Sequence, residues 1–292
     1  MPTLDDLKKR IKSVKSTQKI TKAMKMVAAA KLRKAQENAE KGRPYSQKMQ
    51  NIVLNLTKSI NDPENAPKLM VGTGQDKIYL CVVLTADRGL CGGFNSNICR
   101  LAKKNFKQLL NEGKELKIIT VGSKGLDQIK REYGKYIIKK INFKEKKIIS
   151  FNEAEIVGKE IIDLFNKKEF DKCILFYSNF KNVITQIPQA QQIIPAEKIE
   201  SSNREENEIF YEFEPDEDEI LEDLLPKNIS TQVFKAFLEN SASEQGSRMT
   251  AMDNATRNAG DLVDKLTVNY NRSRQAAITK ELIEIISGAE SL

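Results

Sequence analysis

Few residues of this chain have the chemistry that catalysis requires, and their types exclude most classes of enzyme site. The 292 residues include no histidine, which removes the usual general base at neutral pH and the commonest metal ligand. Nucleophile pairs of the Ser-His and Cys-His kind therefore cannot form within the chain. No Cys-x-x-Cys pair occurs, so neither a zinc site nor a redox motif is indicated. We expect no catalytic residue, no cofactor and no metal, and ordinary buried thiols at Cys81, Cys91, Cys99 and Cys173.

One loop lies where a nucleotide phosphate could bind. Residues Thr85–Asn95 (TADRGLCGGFN) follow a predicted buried strand, which is the position of the phosphate loop in dinucleotide-binding folds. The glycines fit neither G-x-G-x-x-G nor G-x-x-x-x-G-K-[ST]. The sequence therefore favours a tight turn between a strand and a helix that needs small residues.

The charge is distributed unevenly along the chain. Residues 1–48 contain fourteen Lys or Arg and four Asp or Glu, whereas residues 205–223 contain eleven acids and no base. A basic helix can bind nucleic acid or an anionic membrane, but no aromatic residue precedes Tyr45, so stacking on bases is unsupported. The pattern favours contacts with charged protein partners at two separate places.

Two long helical segments carry these charges at the ends of the chain. Residues 3–57 form the first segment, and residues 229–287 form the second, which we expect to begin just after Pro226 with Ser230 as its cap. In the first, the apolar positions are Leu4, Leu7, Ile11 and Val14, followed after a shift by Ile20, Met24, Val27 and Ala30. In the second, the coiled-coil seam is predicted at Met252, Ala255, Ala259, Leu262 and Leu266.

The middle of the chain alternates strands and helices. Strands are predicted at 78–85, 116–121, 136–141 and 172–178, with helices near 95–112, 123–133 and 152–167 and an added strand within 183–194. The fold class is therefore α/β: a long antiparallel two-helix coiled coil from the N- and C-terminal segments, plus a central doubly wound, mostly parallel α/β domain. The predicted domains are an N-terminal helix (1–57), the α/β domain (76–195), an acidic linker and foot segment (196–228) and a C-terminal helix (229–292).

Three segments together resemble the gamma subunit of F-type ATP synthases, in its bacterial form. They are Ser13–Ala29 (SVKSTQKITKAMKMVAA), Asp87–Asn95 (DRGLCGGFN) and the C-terminal run from Ala242 to Ala289, which includes NYNRSRQAAITKEL. The resemblance extends through the whole chain in the expected order. It departs at Lys25, where relatives often carry an acid, and no inserted dithiol loop of the chloroplast kind is present.

The resemblance implies a non-catalytic role as the central rotor shaft of a proton-translocating enzyme. The partners it implies are the hexamer of alternating alpha and beta subunits, the epsilon subunit and the membrane ring of c subunits, with no nucleic acid. It implies a peripheral protein at the cytoplasmic face of the bacterial plasma membrane. A bacterial protein is expected rather than an unprocessed mitochondrial one, because the chain starts directly at the helix. By motif, the residues that contact the hexamer are Met24, Arg248, Gln275, Thr279 and Glu281. Those that contact epsilon and the c ring are Tyr45, Tyr211 and Glu214.

Two other functions stay open at this point. The first is a nucleotide-binding α/β enzyme with helical arms, which would need a phosphate loop or an acid/base pair. The second is a coiled-coil scaffold or nucleic-acid-binding protein, which would bind duplex DNA with a steep dependence on salt.

Overall fold

The computed structural model describes residues 3–59, 67–144, 150–195 and 217–290. The chain divides into two compact units. Unit 1 contains Met1–Ala30 and Arg248–Leu292, and unit 2 contains Lys31–Ser247. Two of the predicted partner-contact residues, Tyr211 and Glu214, lie outside the described residues.

Twelve elements follow one another along the described chain, and the two longest are the terminal helices. The helices are α1 (Leu4–Ser59), α2 (Lys68–Val71), α3 (Phe94–Asn111), α4 (Ser123–Tyr133), α5 (Phe151–Asn166) and α6 (Glu217–Glu290), with one 3-10 turn at Gly134–Tyr136. The strands are β1 (Ile78–Leu84), β2 (Glu115–Val121), β3 (Ile137–Ile141), β4 (Lys172–Phe180) and β5 (Gln186–Ile194). The predicted succession of strands and helices in the middle of the chain is confirmed.

The predicted start of the C-terminal helix is wrong. Helix α6 begins at Glu217, and Pro226 lies inside it, so Ser230 is not its cap. A proline inside a helix removes one backbone hydrogen bond. Here the helix buries Leu221, Leu225 and Ile229 at intervals of four residues on both sides of the proline, and this continuous apolar face outweighs the lost bond.

The sheet has the order β3-β2-β1-β4-β5. The first four strands are parallel, and β5 pairs antiparallel with β4, which confirms a doubly wound sheet with one added strand. Strand β1 lies at its centre and is apolar throughout (IYLCVVL), because a central parallel strand is covered on both faces.

Alternate side chains of β1 belong to two separate cores. Leu80, Val82 and Leu84 face a core that includes residues of α5 and α6, such as Val157 and Val233. The intervening residues face the core formed with α3 and α4. The part of α6 that lies in unit 2 therefore packs on the sheet of the α/β domain.

The cysteines are all free and buried, as expected for ordinary thiols. Burial raises the pKa of the Cys81 and Cys173 thiols, and it raises the pKa of Cys99 to about 11. Among the described residues, no helix has an apolar stretch sufficient to cross a bilayer.

Candidate functional site

Unit 1 consists of the first half of α1 and the last part of α6, and the α1 segment pairs with α6. Lys25 Nζ donates to Asp253 Oδ1 at 2.5 Å, and the hydroxyls of Thr256 and Thr21 are hydrogen-bonded at 2.8 Å. A Cβ on Gly260 would lie 3.0 Å from the side-chain nitrogen of Gln18. Residue numbers rise along α6 as they fall along α1, so the predicted antiparallel pairing is confirmed.

The buried seam of α1 follows the prediction only in its first part. Leu4, Leu7, Ile11 and Val14 are buried or half-buried, as expected. The predicted continuation is confirmed at Met24, which is half-buried, and wrong at Ile20 and Val27, which are more than half exposed, and at Ala30, which is exposed. Around Met24 the seam consists of residues that are mostly small or polar: Gln18, Thr21, Lys25 and Ala28.

The seam of α6 is shifted by one residue at its midpoint. Met252, Ala259 and Val263 are buried, whereas the predicted Leu262 is 46% exposed. Residues spaced by three and four positions, here small and polar ones, lie on the side of the helix that faces its partner, which is the coiled-coil geometry. A prediction based on apolarity alone selects Leu262, which is larger, instead of the neighbouring Val263, which is the residue that lies in the seam.

Polar groups fix the contact at the centre of this seam. The Thr21 hydroxyl donates to the carbonyl oxygen of Gln18 at 3.1 Å and accepts the hydrogen bond from Thr256. Arg257 and then Lys25 hold the pKa of Asp253 below its ordinary value through hydrogen bonds and charge. Ion pairs this exposed add little stability, but they favour one alignment of the helices.

The end of α6 extends beyond the start of α1. The pairing register places Leu4, the first residue of α1, near Arg274. The helix then continues to Glu290, which is about four further turns. These turns expose several large aliphatic side chains, namely Ile278, Leu282, Ile283, Ile285 and Ile286. A cluster of exposed aliphatic side chains is typical of a surface that contacts another protein.

The predicted partner-contact residues fall in three places. Gln275, Thr279 and Glu281 lie exposed on the terminal extension of α6. Met24 and Arg248 are half-buried residues of unit 1, and Tyr45, on α1 in unit 2, is 60% exposed.

The loop that could have bound a phosphate is held by bonds within the chain. The Asp87 carboxylate accepts from Ser123 N at 2.9 Å and from Phe143 N at 3.1 Å. At the start of α4, Lys124 N donates to the carbonyl of Ala86, and Gly125 N donates to the Thr85 hydroxyl. In α3, the helix that follows the loop, Phe94 N donates to the carbonyl of Cys91, and the Asn95 side chain accepts from Ala86 N at 2.9 Å. These bonds close the loop on itself and on the start of α4, which favours the tight-turn interpretation over a phosphate site.

Comparison with known proteins gives a consistent result over the full length. The family model for ATP synthase matches residues 3–292. The ATP synthase gamma chain of Pelagibacter ubique (strain HTCC1062) is 73% identical, and that of Rhizobium johnstonii is 58% identical, each over the whole of both chains. This chain belongs to the ATP synthase gamma chain family. It is a non-catalytic subunit, the central rotor stalk of an F-type ATP synthase.

Solved structures agree with this fold. A chain from the central stalk and c ring of the Tetrahymena thermophila mitochondrial ATP synthase is 28% identical, with a TM-score of 0.60 over 81% of this gamma chain and 99% of that one. A chain from the rotor of the Euglena gracilis mitochondrial ATP synthase is 20% identical, with a TM-score of 0.64 over 94% and 98% of the two chains, and it supports the fold alone.

Sequence reasoning missed the polar centre of the seam. Thr21, Thr256 and Asp253 were not singled out, although Thr21 lies within a segment that carries the family resemblance. The signal that could have found them is the uninterrupted spacing from Leu7 through Val14 to Thr21, in steps of seven residues.

Proposed function

We propose that this chain transmits rotation between a membrane ring of c subunits and the catalytic alpha-beta hexamer of a proton-translocating F-type ATP synthase. It works at the cytoplasmic face of the bacterial plasma membrane, in keeping with the bacterial relatives that it resembles over its whole length. The observation that carries the proposal is the antiparallel pair of α1 and α6, beyond which α6 continues alone with several exposed aliphatic side chains.

The terminal extension of α6 is suited to turn inside a partner. Contacts between aliphatic side chains are non-directional, so their energy changes little as the helix rotates. Hydrogen bonds and ion pairs depend strongly on direction, so many of them would hold the shaft at fixed angles. A few polar residues then favour one conformation of each catalytic subunit in turn.

The residues proposed for these angle-dependent contacts are Met24, Arg248, Gln275, Thr279 and Glu281. All five belong to unit 1, and the last three are exposed at the end of α6. Tyr45, Tyr211 and Glu214 are proposed to contact epsilon and the c ring. Tyr45 is an exposed aromatic residue, and Glu214 belongs to the acidic segment 205–223, which would meet a basic surface of the ring.

The hexamer contacts are tested with Gln275→Leu and Arg248→Ala in the assembled enzyme. Each change should lower coupled ATP turnover, while the helical content of the isolated chain stays at the wild-type level. Gln108→Leu, on the exposed face of α3, is a control that should leave turnover unchanged. Hydrolysis and proton pumping at wild-type rates in both variants would contradict the assignment.

The ring contact is tested by charge reversal at Glu214. Glu214→Lys should reduce the amount of c subunit that co-purifies with the chain, most strongly at low salt, where charge attraction is least screened. Lys107→Glu, a charge reversal on the exposed face of α3, is the matched control. Wild-type recovery of c subunits with Glu214→Lys at every salt concentration would refute the contact.

A further inference from the structure

Strand β4 is longer than the strand it pairs with in the centre of the sheet. The parallel pairing with β1 ends where Val83 meets Phe176, but β4 continues to Phe180. On its other side β4 stays paired with β5 as far as Phe180. The last residues of β4 therefore have one paired edge and one edge that β1 does not cover.

Side chains from the two long helices bind this uncovered edge. Ser178 N donates to Asn240 Oδ1 at 3.0 Å, and Ser178 O accepts from the Ser243 hydroxyl at 3.1 Å. Phe180 N donates to Glu239 Oε2 at 3.1 Å, and Phe180 O accepts from Arg43 Nη2 at 3.2 Å. Four backbone groups of two strand residues thus bond to one side chain of α1 and three of α6, in place of a neighbouring strand.

The cluster is internally paired, and all of its residues except Arg43, whose side chain is 38% exposed, are buried. Glu239 is 3% exposed, and its carboxylate also accepts from Arg43 Nε at 2.7 Å. The hydrogen bond to Glu239 and its charge raise the pKa of Arg43, so the guanidinium stays charged. Ser178, Asn240 and Ser243 are buried as well. Buried polar groups that are satisfied in this way require one position of each partner.

We propose that Arg43, Glu239, Asn240 and Ser243 form a strand-edge joint that fixes α1 and α6 to the α/β domain and carries torque between them. They are positioning residues for rotary coupling, and the proposal rests on the proposed function of the chain as a rotor shaft. Val233 and Phe237 make apolar contacts between α6 and the sheet. These contacts keep the helix packed on the sheet, but they oppose translation of α6 along its axis and rotation about its axis only weakly. The joint supplies directional bonds that oppose both motions.

The geometry of the arginine accounts for its place in the joint. Its planar guanidinium bonds to the carboxylate of Glu239 and to the carbonyl of Phe180 at the same time. A lysine at position 43 keeps the charge but lacks this fixed fork. Arg43→Lys is therefore a mild perturbation of the joint, and Ser243→Ala removes one of its bonds without changing any charge.

The test uses the complete ATP synthase reconstituted in vesicles. Protons pumped per ATP hydrolysed are measured as the opposing proton gradient is increased, for the wild type, Arg43→Lys, Ser243→Ala and the double variant. Without a gradient, we expect the variants to pump as many protons per ATP as the wild type. The ratio should fall as the gradient rises, because the helices then move relative to the α/β domain when the torque on the joint is high. The double variant should lose less than the two single losses combined, since both residues act in one joint.

Glu160→Gln is the matched control. It breaks the 2.5 Å ion pair between Lys139 and Glu160, which joins β3 to α5 in the same domain without involving α1 or α6, and it should keep the wild-type ratio at every gradient. A second readout is the angular fluctuation of a bead attached through Lys107→Cys on α3, measured with the hexamer stalled. The fluctuation should broaden in the joint variants.

Two results would overturn the joint. The first is a wild-type ratio and wild-type fluctuations at all gradients in both single variants. The second is a fall of the hydrolysis rate and the pumping rate by the same factor at every gradient, with unchanged angular fluctuations of the bead. That result would mean that the cluster contributes to folding only. Failure of the wild-type chain to support any coupled pumping would instead refute the proposed function.

Discussion

Two alanines of α1 allow a direct test of which face of the helix forms the seam. Ala28 is 1% exposed and Ala30 is exposed, although the apolar pattern of the sequence assigns Ala30 to the seam. The perturbation is Ala28→Asp compared with Ala30→Asp. Both variants start from the same residue, lie two positions apart on one helix and introduce the same charge, so only their location differs.

The expected costs follow from burial. In Ala30→Asp the carboxylate stays in water, and only the helix propensity of about 0.6 kcal/mol is lost. In Ala28→Asp a larger side chain enters a closed contact and its charge is partly desolvated, which costs about 3 kcal/mol or more. The difference of at least about 2 kcal/mol corresponds to a factor of about 30 in the unfolding equilibrium.

The assay is urea unfolding of the full-length chain, followed by the helical signal in circular dichroism. Ala28→Asp should shift the midpoint to lower urea than Ala30→Asp does, and Ala28→Ser should lie between the wild type and Ala28→Asp. Equal midpoints for the two aspartate variants, or a lower midpoint for Ala30→Asp, would refute the position of the seam.

Three further predictions concern unit 2. Hydrogen bonds from the hydroxyl of Tyr79 and then from two lysines lower the pKa of Asp76. The ionised carboxylate therefore stabilises the fold above its ordinary pKa, and this contribution is lost as the pH falls below about 4. The urea midpoint of Asp76→Asn should change less between neutral and acidic pH than the midpoint of the wild type does. Cys99, with its raised pKa and burial, should react with iodoacetamide at least about tenfold more slowly in the native chain than in urea, as followed by mass spectrometry. Asp87→Ala leaves the backbone N–H groups of Ser123 and Phe143 without their acceptor and should cost about 2–3 kcal/mol in urea unfolding, with Ser123→Ala less damaging.

The sheet could be predicted because its central strand leaves little ambiguity. The apolar run of β1 between a charged segment and a glycine-rich loop has the length and composition of a buried parallel strand. The helices of the α/β domain were placed within one residue of their observed ends. The start of α6 could not be predicted, because Pro226 is a strong local signal against a helix and the packing of Leu221 and Leu225 that overcomes it is tertiary.

The seam shows a second limit of sequence reasoning. Apolarity identifies Ile20, Val27 and Leu262 as core residues, yet all three are exposed in this chain. On a shaft that contacts other subunits, the outer surface also requires apolar residues. The hydrophobic side chains of these helices therefore belong to two interfaces, one between α1 and α6 and one with other subunits. Only the seven-residue spacing identifies the residues of the interface between α1 and α6. The strand-edge joint has no local signal in the sequence, since its residues are polar and its three parts, Arg43, residues 178–180 and residues 239–243, are distant from one another along the chain.

The small residues of the seam make the polar pair at its centre necessary. A stripe that includes the small residues Ala28 and Ala259 lets the helices approach closely, but small side chains alone do not specify one alignment along the axis. A hydrogen bond between Thr21 and Thr256 is satisfied in one register only, and Lys25 favours the same register through Asp253. Such polar groups select alignment at some cost in stability. For a shaft, a fixed register between α1 and α6 matters more than maximal stability, because a helix pair that slipped under load would dissipate the rotation it should transmit.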